Sequence, residues 1–219
     1  MCGLYRLTIA PEAMKAAFSL AEGPELANCC PRALVRPGEP APIIRREEDG
    51  AYHLRFALWG FVPHWMKEWP KQRPINARAE SLLERPYFRS AVRHHRCLFP
   101  ADGFHEWTGQ PGHKHAILFT LPDERPFAMA GLWSRWMGAD GSEMETCVII
   151  TVDANADVRP VHPRMPAIFL NEADRAAWLD PACPAEEAVR LLKPAPDGTF
   201  SGHDVGHPLK RPPEQPRLL

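Results

Sequence analysis

Proline constrains this chain more than any other residue. It fills 25 of 219 positions, and each proline fixes φ near about −65° and removes a backbone donor. Long helices and central strands pass through such residues with difficulty, so the chain must be built from short pieces. Residues 3–9 set Tyr5, Leu7 and Ile9 against Leu4, Arg6 and Thr8, which predicts a strand. Further strands are expected near 43–46 and 52–58, with the Asp49-Gly50 turn between them, and near 97–100, 104–107, 115–120, 127–134 and 146–152. Pro11 opens a helix expected to reach about residue 21. Residues 81–83, 85–95, 172–179 and part of 184–192 also read as helical. Residues 22–42 are expected to be irregular. Residues 60–75 carry Pro63, Pro70 and Pro74 among Trp65 and Trp69 and are expected to form a long functional loop. After Pro194 proline recurs without apolar periodicity, so 194–219 reads as a mobile tail behind a domain spanning 1–193. Many strands, few helices and no regular β-α alternation argue for an α+β fold.

The length suits one domain with a sizeable core, and 45% hydrophobic with 24% charged residues is ordinary for a soluble globular protein. The longest apolar runs, such as 147–152, are too short to cross a bilayer. The N-terminus lacks the basic-then-apolar order of a secretion signal, so a cytoplasmic protein is expected. Six cysteines in a chain this long predict free thiols. A net charge of −1 is unlike the basic composition of many DNA-binding domains. Nucleic-acid contact would need a local patch, for which Arg73, Arg78, Arg85, Arg89, Arg93, His94, His95 and Arg96 are candidates. The same residues would equally suit a solvated helix face. Adjacent Cys29 and Cys30 are poorly placed to share a metal, and nothing nearby completes a site with His113 and His115, so no metal or cofactor is expected.

Cys2 carries distinctive chemistry. Initiator methionine is usually removed before a small residue, and its loss here would leave an α-amine and a thiol on adjacent carbons. The amine titrates near ~8, against ~10.4 for lysine, so part of it is nucleophilic at neutral pH. It can condense with an aldehyde to an imine, which the thiol then closes to a five-membered thiazolidine. Cys2 would also serve as a small buried residue opening a strand.

Five further segments sharpen this reading: Trp59-Gly60-Phe61-Val62-Pro63-His64-Trp65, Pro74-Ile75-Asn76-Ala77-Arg78-Ala79-Glu80, Arg96-Cys97-Leu98-Phe99-Pro100-Ala101-Asp102-Gly103-Phe104-His105-Glu106-Trp107, Ala130-Gly131-Leu132-Trp133, and Val161-His162-Pro163-Arg164-Met165-Pro166. Following Met1-Cys2-Gly3 in this order, with Glu143-Met144-Glu145-Thr146-Cys147 in further agreement, they closely resemble the SRAP family (SOS-response-associated peptidase, abasic-site processing proteins). The resemblance runs from residue 2 to about residue 180. It implies a single domain with a mainly antiparallel, barrel-like β core and flanking helices.

It also implies an activity: autoproteolytic loss of Met1, then covalent capture of an abasic site in single-stranded DNA through Cys2, with weak strand-cleaving lyase activity. Glu106 and His162 would move protons and Asn76 would orient the reacting groups. Arg78 and Arg164 would hold phosphates, Arg85 and Arg89 would extend the basic surface, and Pro63 and Trp65 would meet the strand. The protein would act as a monomer, associated with the nucleoid when bound to DNA. Read alone, Glu106 also fits a strand-end carboxylate paired with an arginine, Asn76 a turn cap, and His162 a structural histidine. Two positions depart from the family pattern: Leu4 stands where arginine is common, and Leu34 where asparagine is usual. Arg6 and Arg36 are candidates to compensate. A thiol peptidase acting on other proteins and a non-covalent reader of modified DNA are the alternative activities.

Overall fold

The computed structural model describes residues 2–110 and 112–209. Thirteen strands are described: β1 (Tyr5–Leu7), β2 (Arg32–Val35), β3 (Pro40–Arg46), β4 (Tyr52–Trp59), β5 (Asn76–Arg78), β6 (Arg96–Ala101), β7 (Gly103–Thr108), β8 (His115–Thr120), β9 (Phe127–Met137), β10 (Glu143–Asp153), β11 (Arg164–Pro166), β12 (Ile168–Phe169) and β13 (Ser201–Asp204). Five short helices accompany them: α1 (Pro11–Phe18), α2 (Pro24–Ala27), α3 (Arg89–His94), α4 (Glu172–Leu179) and α5 (Ala185–Ala188). The fold is α+β, with a barrel-like core. No described helix is long and apolar enough to cross a membrane.

Five strands close on themselves. β3 pairs with β4 and β6, β6 with β9, and β9 with β10, all antiparallel, and a parallel pairing of β10 with β4 completes the ring. The ring is sparsest where β3 meets β6, at Ile44 and Leu98 alone. A second sheet, ordered β13-β8-β7-β1-β2 and antiparallel throughout, packs on it. The join is aromatic. Tyr5 of β1 meets Trp59 and Phe99 at 5.5 and 6.2 Å between ring centroids, and Phe104 of β7 meets Phe127 of β9 edge-on at 6.4 Å. Gly131 on β9 lets Phe99 lie flat against the wall, since a Cβ there would sit 2.3 Å from the Phe99 ring.

The structure departs from the sequence expectation in instructive places. Helix α1 stops at Phe18, because Ser19 turns left-handed (φ 54°) and the Ala21 amide donates to the Tyr52 carbonyl at 2.8 Å. The stretch expected to be irregular contains β2 and the start of β3. Pro40 and Pro42 are tolerated because β6 meets β3 only at Ile44, leaving their amide side outside the ladder. Beyond residue 193 the chain keeps its structure: Phe200 is buried against Phe104 and Phe127, and β13 extends the second sheet by pairing with β8. A single aromatic and a four-residue strand made no visible periodicity among the prolines. The remainder of the expected tail, 210–219, lies outside the described residues, as does Met1.

Candidate functional site

β1 begins just beyond Cys2 and lies beside β7, where the His105 amide donates to the Leu4 carbonyl at 2.9 Å. That pairing brings the start of the chain to Glu106. On its other side Cys2 meets β5: the Asn76 amide group donates to the Cys2 carbonyl at 2.9 Å. Cys2 is fully buried. Residues 74 and 104 positions away in sequence thus converge on it.

The environment determines the state of each group. Burial raises the Glu106 carboxyl from its ordinary 4.5 to about 7, so near neutrality it divides between acid and base. Burial, and then the Glu106 charge, push the Cys2 thiol well above its ordinary range. The thiol therefore stays protonated. His105, the neighbour of Glu106, is driven down to about 4 by burial and stays neutral. Asn76 Oδ1 is buried without a hydrogen-bond partner, leaving an acceptor available beside Cys2.

The other expected residues lie on neighbouring strands. β10 is flanked by β5 on one side and β11 on the other, with Thr151 opposite both Arg78 and Pro166. His162 stands on the segment entering β11. Its Nδ1 lies 3.0 Å from both the amide and the carbonyl oxygen of Arg164, and burial lowers its pKa from 6.5. Arg164 is already engaged, donating to Asp153 at 2.7 Å, Glu80 at 2.9 Å and the Thr151 carbonyl at 2.7 Å. Arg78 is exposed.

A cleft of about 670 Å³ opens along β5, lined by Arg73, Asn76, Arg78, Arg85 and Tyr87 among others. Trp65 stands half exposed at its rim, edge-on to Tyr87 at 6.2 Å. The basic run seen in the sequence therefore divides. Arg73, Arg78 and Arg85 face the cleft, while Arg89 lies exposed on α3 outside its lining. Arg93 pairs with Glu186 at 3.4 Å. Arg96 is buried and donates to the Val92, Trp178, Asp180 and Cys183 carbonyls, closing the C-terminal end of α4.

One expectation needs correction. Pro63 is buried, so it shapes the loop and offers no face to a strand. Arg6, the candidate to compensate for Leu4, is bound to Asp102 at 2.6 Å, an acid that also accepts from the Thr8 amide and hydroxyl, and would have to leave that partner to reach DNA. Leu4 itself is buried. Tyr87 was not anticipated, although an aromatic residue inside an arginine-rich stretch is the relevant signal.

The sequence matches the family described as SOS response associated peptidase (SRAP) over residues 1–212. It is 40% identical over 157 residues to the abasic site processing protein YoqW of Bacillus subtilis, covering 70% of each chain. The abasic site processing protein YoaM of Bacillus subtilis is 33% identical over 195 residues, 88% of this chain and 85% of that protein. A crystal structure of a protein from Bacteroides thetaiotaomicron superposes with a TM-score of 0.83 at 26% identity, covering 93% of this chain and 91% of the other.

Proposed function

The chain belongs to the SRAP family, and on that premise we propose that it processes abasic sites in single-stranded DNA by capturing them covalently on Cys2. Hydrolysis of the Met1–Cys2 peptide bond frees the α-amine. The amine adds to the aldehyde of the ring-opened sugar, and the carbinolamine loses water to give an imine. The thiol then adds to the imine carbon, forming a C–S bond while the nitrogen takes a proton. No electrons are gained or lost overall.

Glu106 is the acid and base for these transfers. It gives a proton to the departing water and receives the thiol proton at ring closure, roles suited to a carboxyl that titrates at about 7. Asn76 holds the Cys2 carbonyl and so fixes the amine and thiol against the sugar. His162 serves the sugar oxygen as it opens. Arg73, Arg78 and Arg85 bring phosphates along the cleft, and Arg164 reaches a further phosphate by exchanging its carboxylate partners. The imine also permits β-elimination, so weak lyase activity accompanies capture until the ring closes. The protein acts as a monomer in the cytoplasm and joins the nucleoid with its DNA.

The observation that carries this reading is the convergence of Asn76 and a near-neutral buried Glu106 on Cys2. A pocket that holds the Cys2 thiol protonated suits a group that acts second, after the amine. The test is intact mass spectrometry after incubation with single-stranded DNA bearing one abasic site, using wild type, Cys2→Ala and undamaged DNA. The expected product is protein without Met1 joined to DNA, heat-stable without borohydride and absent in Cys2→Ala. No adduct from protein verified to begin at Cys2 would sink the proposal, and salt-sensitive binding indifferent to Cys2→Ala would favour the non-covalent reader.

A further inference from the structure

The loop between β4 and β5 leaves the barrel wall and returns to the same side of β10. β4 pairs with β10 at Thr146 and Cys147, and β5 pairs with it at Ile149–Thr151. Its base is closed by the Phe61 amide donating to the Pro74 carbonyl at 2.9 Å and the Gly60 amide to the Cys147 carbonyl at 3.0 Å. Gly60 has φ +150°, and Arg73 packs against it where a side chain would otherwise stand. The loop is therefore fastened at both ends.

Between those ends it reads Trp65-Met66-Lys67-Glu68-Trp69-Pro70-Lys71-Gln72-Arg73, two indoles interleaved with three cations and one acid. Trp69 is 37% exposed, and the Arg73 guanidinium lies 5.0 Å from its ring centroid. Its ring meets Trp136 of β9 edge-on at 4.9 Å, and the Trp136 indole donates to the Met66 carbonyl at 2.8 Å. Met144, opposite Trp136 on β10, is 43% exposed. The result is an apolar surface of Trp69 and Met144, with Trp69 seated on the buried Trp136 of the β9–β10 hairpin. Arg73 belongs both to this surface and to the cleft lining.

We propose that Trp69, backed by Arg73 and seated on Trp136, forms a second stacking platform for an unpaired base of the same strand, beyond the position served by Trp65. This rests on the single-stranded DNA reading given above. Continuity with the cationic cleft selects the occupant. A strand brings one phosphate with each base, which matches the alternation of Lys67, Lys71 and Arg73 with the indoles. Stacking is indifferent to base identity, so the platform lengthens the footprint without imposing a sequence.

The test uses the full chain and abasic-site oligonucleotides lengthened one nucleotide at a time on either side of the lesion. In wild type, affinity should rise by about 5- to 150-fold when the added base reaches the platform. Trp69→Ala should collapse that step toward 1, Trp69→Phe should restore most of it, and Met137→Ala, on the opposite face of the hairpin, should leave it in place. A 2-aminopurine at the reached position should be quenched in wild type and brighten in Trp69→Ala. A step that persists in Trp69→Ala, or a loss equal at every length, overturns the platform while leaving lesion capture standing. Wild type that captures no lesion DNA at any length overturns both.

Discussion

Glu106 should cost the fold stability that its removal returns. Its carboxyl is fully buried and titrates at about 7, against an ordinary 4.5. Between those values the native state holds a proton that the unfolded chain has released, so unfolding liberates a proton and rising pH favours it. With each pH unit worth about 1.4 kcal/mol, wild type should lose up to ~3 kcal/mol between pH 4.5 and 8 through this one group. Glu106→Gln keeps the shape and cannot titrate. Its stability relative to wild type should climb through that window and level off above pH 8. Exchanging a carboxyl for an amide adds an offset through altered hydrogen bonding, but a pH-independent one, so the slope is the diagnostic. The other groups that titrate nearby, His162 among them, are common to both proteins. Urea unfolding at half-unit steps from pH 5 to 9 measures the difference directly, with a shared m-value as the check on two-state behaviour. The same variant should slow lesion capture by about 10²- to 10⁴-fold, the range for a lost general acid–base. A difference that stays flat with pH, or that falls, would refute the assignment of a destabilising, near-neutral carboxyl.

Gly131→Ala should destabilise the barrel by about 1–3 kcal/mol, because its Cβ would fall 2.3 Å from the Phe99 ring and 3.0 Å from the Val148 carbonyl oxygen; thermal unfolding reports this without reference to DNA. Arg78→Ala should weaken DNA binding similarly for every sequence and reduce the slope of log affinity against log salt by about 1. A salt series by fluorescence anisotropy reads both.

β1 was legible as a strand because its residues alternate, with Tyr5 and Leu7 buried around Arg6, whereas β9 is buried on both faces from Phe127 to Leu132 and reads as an apolar run. The segments holding Cys2, Asn76, Glu106 and His162 stood out through motifs, and no periodicity could have shown that Asn76 and Glu106 meet Cys2. β5 is three residues long and gains its regularity from β10, so nothing local announces it. β13 is similarly dependent on β8. The division of the arginines was hidden for a different reason. Arg73 and Arg96 are both basic residues beside aromatic segments, yet one lines a cleft while the other closes a buried helix end. That distinction is made by which carbonyls come within reach after folding. Pro63 misled because a proline in a surface loop usually shows a face, whereas this one is turned inward.

The parallel seam between β10 and β4, with β5 continuing along it, makes the surroundings of Cys2 dependent on what is synthesised long afterwards. Residue 2 is the first to leave the ribosome in any processed form, but its amide clamp is seated by a strand that pairs with residues 149–151. A nascent chain lacking β10 carries the cysteine without the pocket around it. The buried surroundings that bring Asn76 and Glu106 to Cys2 therefore exist only once the barrel has closed.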